Sequence, residues 1–185
     1  MNRAILILIC ALGAGAAAAH GDARGDTHGR DFGSGAYLGL SFGQLRYSEE
    51  GLEAITPATA MLFIGAPISP NLSLEGRLGG GLGRAETNTY GLEVRSLYAG
   101  YLKGSLPLAP GFSLYGLGGV AGVNLERDFG LIEAQDSGLS FGLGMDFALY
   151  GGATLNVEWT HLVSGNNPGY DYDVDMASIG VAWRL

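Results

Sequence analysis

Apolar residues recur at every second position in eight separate segments of this chain. In "AYLGLSFGQLRY", Leu38, Leu40 and Phe42 alternate with Gly39, Ser41 and Gly43. In "SGLSFGLGMDFALY", Leu139, Phe141, Leu143, Met145, Phe147 and Leu149 share one face, opposed by Ser140, Gly142, Gly144 and Asp146. In "ATLNVEWTHLV", Leu155, Val157 and Trp159 face away from Thr154, Asn156, Glu158 and Thr160. Period two with one oily face is the mark of a strand, not a helix. The segments cover about 36–47, 58–66, 72–84, 92–106, 112–124, 137–149, 153–163 and 174–185. At roughly ten to fifteen residues they exceed the usual five or six of a globular strand and are long enough to cross a membrane at a tilt. Glycine, at 33 of 185 residues, disfavours long helices.

The connectors alternate in kind. "PISPN", "PLAPG" and "YGG" are short turns, whereas "SEEGLEAITP", "AETNTYG", "LERDFGLIEAQD" and "SGNNPGYDYD" are longer and acidic. Short turns at one end and long loops at the other describe an up-and-down meander. One hairpin recurs forty residues on, with Pro67, Pro70, Ser73, Leu74 and Gly76 matching Pro107, Pro110, Ser113, Leu114 and Gly116. Recurrent turn chemistry and a duplicated hairpin account for this equally well.

The N-terminus reads as an export signal over residues 1–19: Arg3, an apolar stretch from Ala4, and an Ala17-Ala18-Ala19 cleavage site. The apolar stretch is shorter than a membrane helix, and no later stretch is longer. Residues 20–33 read as a polar linker, and 34–185 as one domain. Cys10, the single cysteine, falls in the signal, so neither a disulfide nor a thiolate-bound metal is expected. Losing Arg3 leaves nine basic against eighteen acidic residues, the wrong balance for nucleic acid. Mean hydropathy is nonetheless +0.21.

Strands with an oily face can enclose it, as in a soluble barrel, or turn it toward lipid. Charge placement decides. Glu75, Arg77, Asp146, Glu158 and Arg184 lie opposite the apolar stripe at strand positions, as do Arg95 and Lys103 on a looser parity. A cation at the bilayer midplane costs about 2–4 kcal/mol, so these groups belong inside, paired across a narrow lumen. The expected fold is therefore all-β, an eight-stranded antiparallel up-and-down transmembrane barrel. Tyr37, Tyr47, Tyr98, Tyr101, Tyr115, Tyr150 and Trp159 are expected in aromatic belts at the headgroups.

The segment "ASIGVAWRL" resembles the C-terminal assembly signal of outer-membrane proteins through Ser178, Gly180, Trp183 and Leu185, with Leu in place of the usual terminal Phe. Over about residues 34–185 the chain resembles the small OmpA-like, OmpX-like and opacity barrels, without the peptidoglycan-binding domain of full OmpA. That resemblance implies the outer membrane as location, with its lipids, lipopolysaccharide and the barrel assembly machinery as partners. It also implies a non-enzymatic surface or envelope role, in which the loops contact a host or envelope protein for adhesion or envelope integrity. The loop carboxylates (Glu49, Glu50, Glu53, Glu86, Glu126, Asp128, Glu133, Asp136, Asp171, Asp173 and Asp175) read as a solvated acidic rim, with no metal or other cofactor.

A narrow or gated pore, as in the OmpW group, is the alternative. A charged plug in an eight-stranded lumen speaks against free conduction. The third reading is a lipid A deacylase resembling PagL, which needs His and Ser two apart on a lipid-facing strand and a Glu on the next. His161 and Asp175 share the outward parity. Val163 stands where the Ser would be, however, and Ser164 points the other way in a regular strand, so no catalytic residue is expected. "RGD" at Arg24–Asp26, His20 and His28 in the linker, and "GRLGGGLGRA" carry no site: the last has neither a following helix nor a Gly-Lys-Ser/Thr.

Overall fold

A computed structural model describes residues 35–49, 54–86, 91–127, 134–167 and 170–185. The signal, the linker with its RGD and both histidines, and the tips of the four long connectors lie outside the described residues. The strands are β1 (Tyr37–Glu49), β2 (Ala58–Ser69), β3 (Leu72–Gly81), β4 (Arg84–Glu86), β5 (Gly91–Ala109), β6 (Phe112–Arg127), β7 (Ala134–Ala148), β8 (Ala153–Asn167) and β9 (Tyr170–Arg184). Each pairs antiparallel with its neighbours. Both β3 and β4 pair with β5, so they are two pieces of one stave, and nine strands make eight staves.

The ring is closed by β9, which lies along β1 with Leu38 opposite Trp183 and Phe42 opposite Ile179. Closure leaves no sheet edge to be satisfied in lipid. At the turn end, Gly111, Gly151 and Gly152 take positive φ of 80°, 75° and 77°, the conformation that tight turns ask of glycine. The two matching hairpins also share a bulge, between Pro67 and Ser69 and between Pro107 and Ala109.

The strands run further than the alternation of oily faces suggested. Much of "LERDFGLIEAQD" and of "SGNNPGYDYD", read above as loop, is strand: β6 continues to Arg127, β7 begins at Ala134, β8 reaches Asn167 and β9 starts at Tyr170. Fifteen residues at about 3.3 Å each span roughly 50 Å along the strand, which at a tilt of about 35–45° rises about 35–40 Å, beyond an apolar band about 25 Å tall. The excess rises as a collar at the loop end, and there the two faces exchange character. In the band, Leu38, Phe42, Leu62, Leu78, Leu139, Leu143, Trp159 and Ile179 are exposed outward. In the collar, Leu45, Tyr47, Leu92, Val94, Val123, Leu125, Tyr172, Val174 and Met176 point inward and are buried, while Gln44, Arg46, Arg95, Glu126, Asp171 and Asp173 are exposed. Outside the bulges at Val94/Ser96 and His161/Val163 the alternation runs on unbroken. It changes sign because the outer surface passes from lipid to water.

Candidate functional site

The lumen is filled in two storeys. In the band, Arg77 on β3 sits between two carboxylates. Its Nε donates to Glu75 Oε1 at 2.7 Å, and its Nη1 and Nη2 form a bidentate pair with Glu158, the Nη2 to Oε2 distance being 2.8 Å. Tyr115 donates to Glu158 Oε2 at 2.9 Å, Thr160 donates to Oε1, and Tyr37 donates to Glu75 Oε2 at 2.7 Å. Lys103 Nζ donates to Asp146 Oδ2 at 2.8 Å and lies 3.8 Å from the centre of the Tyr115 ring. The Arg77 guanidinium stands 4.9 Å from the centre of the Tyr101 ring. Buried charges of this kind are tolerable only when paired.

Four residues of the expected lumen network, Glu75, Arg77, Asp146 and Glu158, are buried in this layer. Arg184 is not among them. It is exposed, and with Gly35, Tyr37, Lys103 and Asp146 it lines a recess at the turn end of the lumen, because β9 ends there and the interior opens to water. Arg95 also departs from expectation. A bulge between Val94 and Ser96 turns it outward onto the collar, where it pairs with Glu126.

Several tyrosines expected in the aromatic belts are lumen residues instead. Tyr101, Tyr115 and Tyr47 are buried, and Tyr37 reaches inward to Glu75. Space for the rings comes from glycine on the adjoining strand. Gly65 is opposite Tyr37, and Gly144 is opposite Tyr115. A Cβ at either glycine would lie 2.0 Å or 2.2 Å from the facing ring. Tyr150 and Trp159 do face outward. The signal for the inward set was present: Tyr101 shares strand parity with Lys103, and Tyr115 with Ser113.

Above this layer the collar side chains close the lumen with hydrocarbon. Leu45, Leu97, Ile55, Val123, Leu162 and Met176 belong to one buried cluster, and Tyr47 stacks on Tyr172 with ring centres 5.6 Å apart. Of the proposed assembly-signal residues, Ser178 is buried, Gly180 faces Asn156 and the Leu40 carbonyl, and Trp183 and Leu185 are exposed. Among the described residues, no group of three or more His, Cys, Asp or Glu is placed to hold a metal ion.

One constellation lies on the outer wall. His161 Nδ1 is 2.9 Å from Asp175 Oδ1, His161 Nε2 is 2.8 Å from Ser164 Oγ, and Ser164 Oγ is 2.8 Å from Asp173 Oδ1. The expectation that Ser164 points away from His161 is thus overturned. The β8–β9 register slips between His161 and Val163, and the consecutive Leu162 and Val163 are both buried, each 1% exposed. Two inward residues in a row return Ser164 to the face of His161. Re-aiming a side chain in this way is what a β-bulge does.

A closed ring of eight staves, oily outside and charged within, defines a transmembrane β-barrel of the outer-membrane type. The chain belongs to the outer membrane protein beta-barrel domain family, which matches residues 4–184, and its location is the cell outer membrane. No curated protein matches it in sequence. Among solved structures it is similar to Neisserial surface protein A, with a TM-score of 0.63 and 12% identity over 82% of this chain and 98% of that one. It is also similar to Ail, the attachment invasion locus protein of Yersinia pestis, with a TM-score of 0.55 and 15% identity over 82% and 99%. A third likeness is OprG from Pseudomonas aeruginosa, with a TM-score of 0.52 and 14% identity over 83% and 98%. These likenesses are of fold. In outer-membrane barrels as a class, short turns lie on the periplasmic side and longer connectors outside the cell.

Proposed function

We propose that the protein is a surface protein of the outer membrane, its barrel a closed anchor and its collar and loops a contact surface for adhesion or envelope integrity. The observation that carries this reading is the exchange of faces along the strands: above the lipid band the outer wall becomes charged while the interior fills with hydrocarbon. A wall raised clear of the membrane and supported by its own apolar core is a rigid platform for loops. Lipopolysaccharide and an envelope or host protein are the partners we assign to it. The barrel assembly machinery, addressed through Ser178, Gly180, Trp183 and Leu185, is the one that inserts it. This role requires no chemistry from the barrel. A narrow pore has less support, since both storeys of the lumen are filled.

A deletion strain compared with its parent tests the proposal. Loss of the protein should reduce attachment to surfaces or raise detergent sensitivity, and Glu126→Lys with Asp171→Lys should reproduce that loss with the protein still folded in the membrane. Unchanged attachment and detergent resistance in the deletion strain would overturn the reading.

A further inference from the structure

We propose that Ser164, His161 and Asp175 form a hydrolytic site on the outer wall of the barrel that cleaves carboxylic esters of phosphate-bearing membrane lipids. The arrangement has the parts such chemistry requires, in order: a hydroxyl on one imidazole nitrogen and a carboxylate on the other. Asp175 is opposite His161 in the β8–β9 ladder, and Asp173 is opposite Ser164. Both contacts are therefore fixed by strand register, not by a mobile loop. Phe141 stacks on the imidazole with ring centres 5.0 Å apart, which fixes the ring plane. Asp175 accepts only from a protonated Nδ1, so in the neutral ring Nε2 is the bare nitrogen facing Ser164. The serine's single proton is shared between that nitrogen and Asp173, and the imidazole takes it when the oxygen attacks.

The wall opens at this level. The β7–β8 ladder ends with Phe141 opposite His161, although β8 remains paired to β9 as far as Asn167 and β7 to β6 as far as Ala134. Where the next rung would fall, the Ser140 hydroxyl donates to the His161 carbonyl instead. Among the described residues the edge of β8 beside Ser164 thus has no ladder pairing to β7, and amides on that edge are what a developing oxyanion would meet.

Position names the substrate. Below the site on the same outer face lie Trp159 and Leu143, Phe141 is level with His161, and Leu139, 83% exposed, stands beside the site toward the loop end; together they form the oily surface along which an acyl chain runs. Beside it on β1, Arg46 is exposed and stands opposite Asp175, a cation for a headgroup phosphate. The triad therefore sits where hydrocarbon gives way to charge, the depth at which a lipid's ester carbonyl lies. Ser164 Oγ adds to that carbonyl carbon as His161 takes its proton. The tetrahedral adduct breaks its bond to the alcohol oxygen, which leaves with the proton from His161. Water then hydrolyses the acyl-serine by the same route, releasing a fatty acid and restoring the hydroxyl. Ser164 and His161 are the catalytic residues, and Asp175 is a positioning residue.

The test uses the full-length protein folded in detergent–lipid micelles containing either lipopolysaccharide or a diacyl phospholipid, with released fatty acid measured by mass spectrometry. The protein should release fatty acid, and a fluorophosphonate should label it at Ser164. Ser164→Ala and His161→Asn should each lower release by at least about 100-fold while the heat-modifiable gel mobility of the folded barrel is unchanged. Asp175→Asn should lower kcat with KM preserved, and Asp175→Glu should restore part of it. Release from lipopolysaccharide alone identifies lipid A as the ester source, and release from phospholipid alone identifies the glycerolipid. No release from either lipid by the folded protein, or undiminished release by Ser164→Ala, overturns the proposal. Because Ser164→Ala leaves the collar charges in place, attachment should survive it, so failure here is distinguishable from failure of the surface-protein reading.

Discussion

Arg77 and Glu158, on staves β3 and β8 with no shared ladder, meet across the barrel axis in a bidentate pair, and Glu75 holds the guanidinium from its other side. One cation thus serves two buried carboxylates. Arg77→Met would leave both without it, an error that costs about 3–5 kcal/mol when one partner of a buried pair is lost. The triple change Glu75→Gln, Arg77→Met, Glu158→Gln removes all three charges together and should recover most of that loss. Urea unfolding in lipid vesicles, followed through the fluorescence of Trp159 and Trp183, reads both variants.

Tyr115 reaches Glu158 only because Gly144 lies opposite it with no side chain. In Gly144→Ala the new methyl would sit 2.2 Å from the ring. The ring must move, and its hydrogen bond to Glu158 is lost with it. Overpacking of this kind costs about 1–3 kcal/mol. Tyr115→Phe, which loses only the hydroxyl, should cost about 1 kcal/mol. The same unfolding assay should rank the alanine variant below the phenylalanine one.

The eight staves were legible because lipid forces the outer face to be oily and a narrow lumen forces the inner face to be small or polar. Leu38–Gly43 and Leu139–Leu149 carry that pattern plainly. The collar was legible as strand only in part: the predicted strands take in Leu45, Tyr47, Leu92, Val94, Val123, Val174 and Met176 but stop short of Leu125 and Tyr172. In Asp171–Met176 the alternation continues with charge outward and Tyr172, Val174 and Met176 inward, but its aspartates and the neighbouring glycine and asparagines look like a loop. The inward tyrosines depart from the aromatic belts because their parity is that of the lumen, Tyr101 with Lys103 and Tyr115 with Ser113, which residue type alone does not show. The wall site was missed for a narrower reason. One extra residue in β8 moves Ser164 to the other face, and the only trace in the sequence is the apolar pair Leu162–Val163 where alternation calls for one.

If the faces exchange where the collar begins, an arginine introduced on the outer wall should carry unequal costs on either side of that line. Leu143 is exposed in the oily band, and Leu143→Arg should destabilise by about 2–4 kcal/mol, as a cation facing hydrocarbon does. Gln44 is exposed on β1, between Phe42 of the band and Arg46 of the collar. Gln44→Arg should cost less than about 1 kcal/mol. Equal costs at both positions would mean that the membrane boundary lies elsewhere.

The two storeys of the lumen seal by different physics, so each should hold when the other is breached. Polar packing around Arg77, Glu158, Lys103 and Tyr101 blocks ions through side-chain volume and tight pairing, while the collar cluster of Leu45, Leu97, Val123 and Met176 excludes water because it is hydrocarbon. An eight-stranded ring has only enough interior for such filling. In planar bilayers the unmodified protein should show no conductance steps. Leu45→Ala with Leu97→Ala and Met176→Ala should remain silent, as should Arg77→Ala with Glu158→Ala. Combining the two sets should produce discrete steps. Steady conductance from the unmodified barrel would contradict double sealing, and steps from either set alone would show that only one storey closes the barrel.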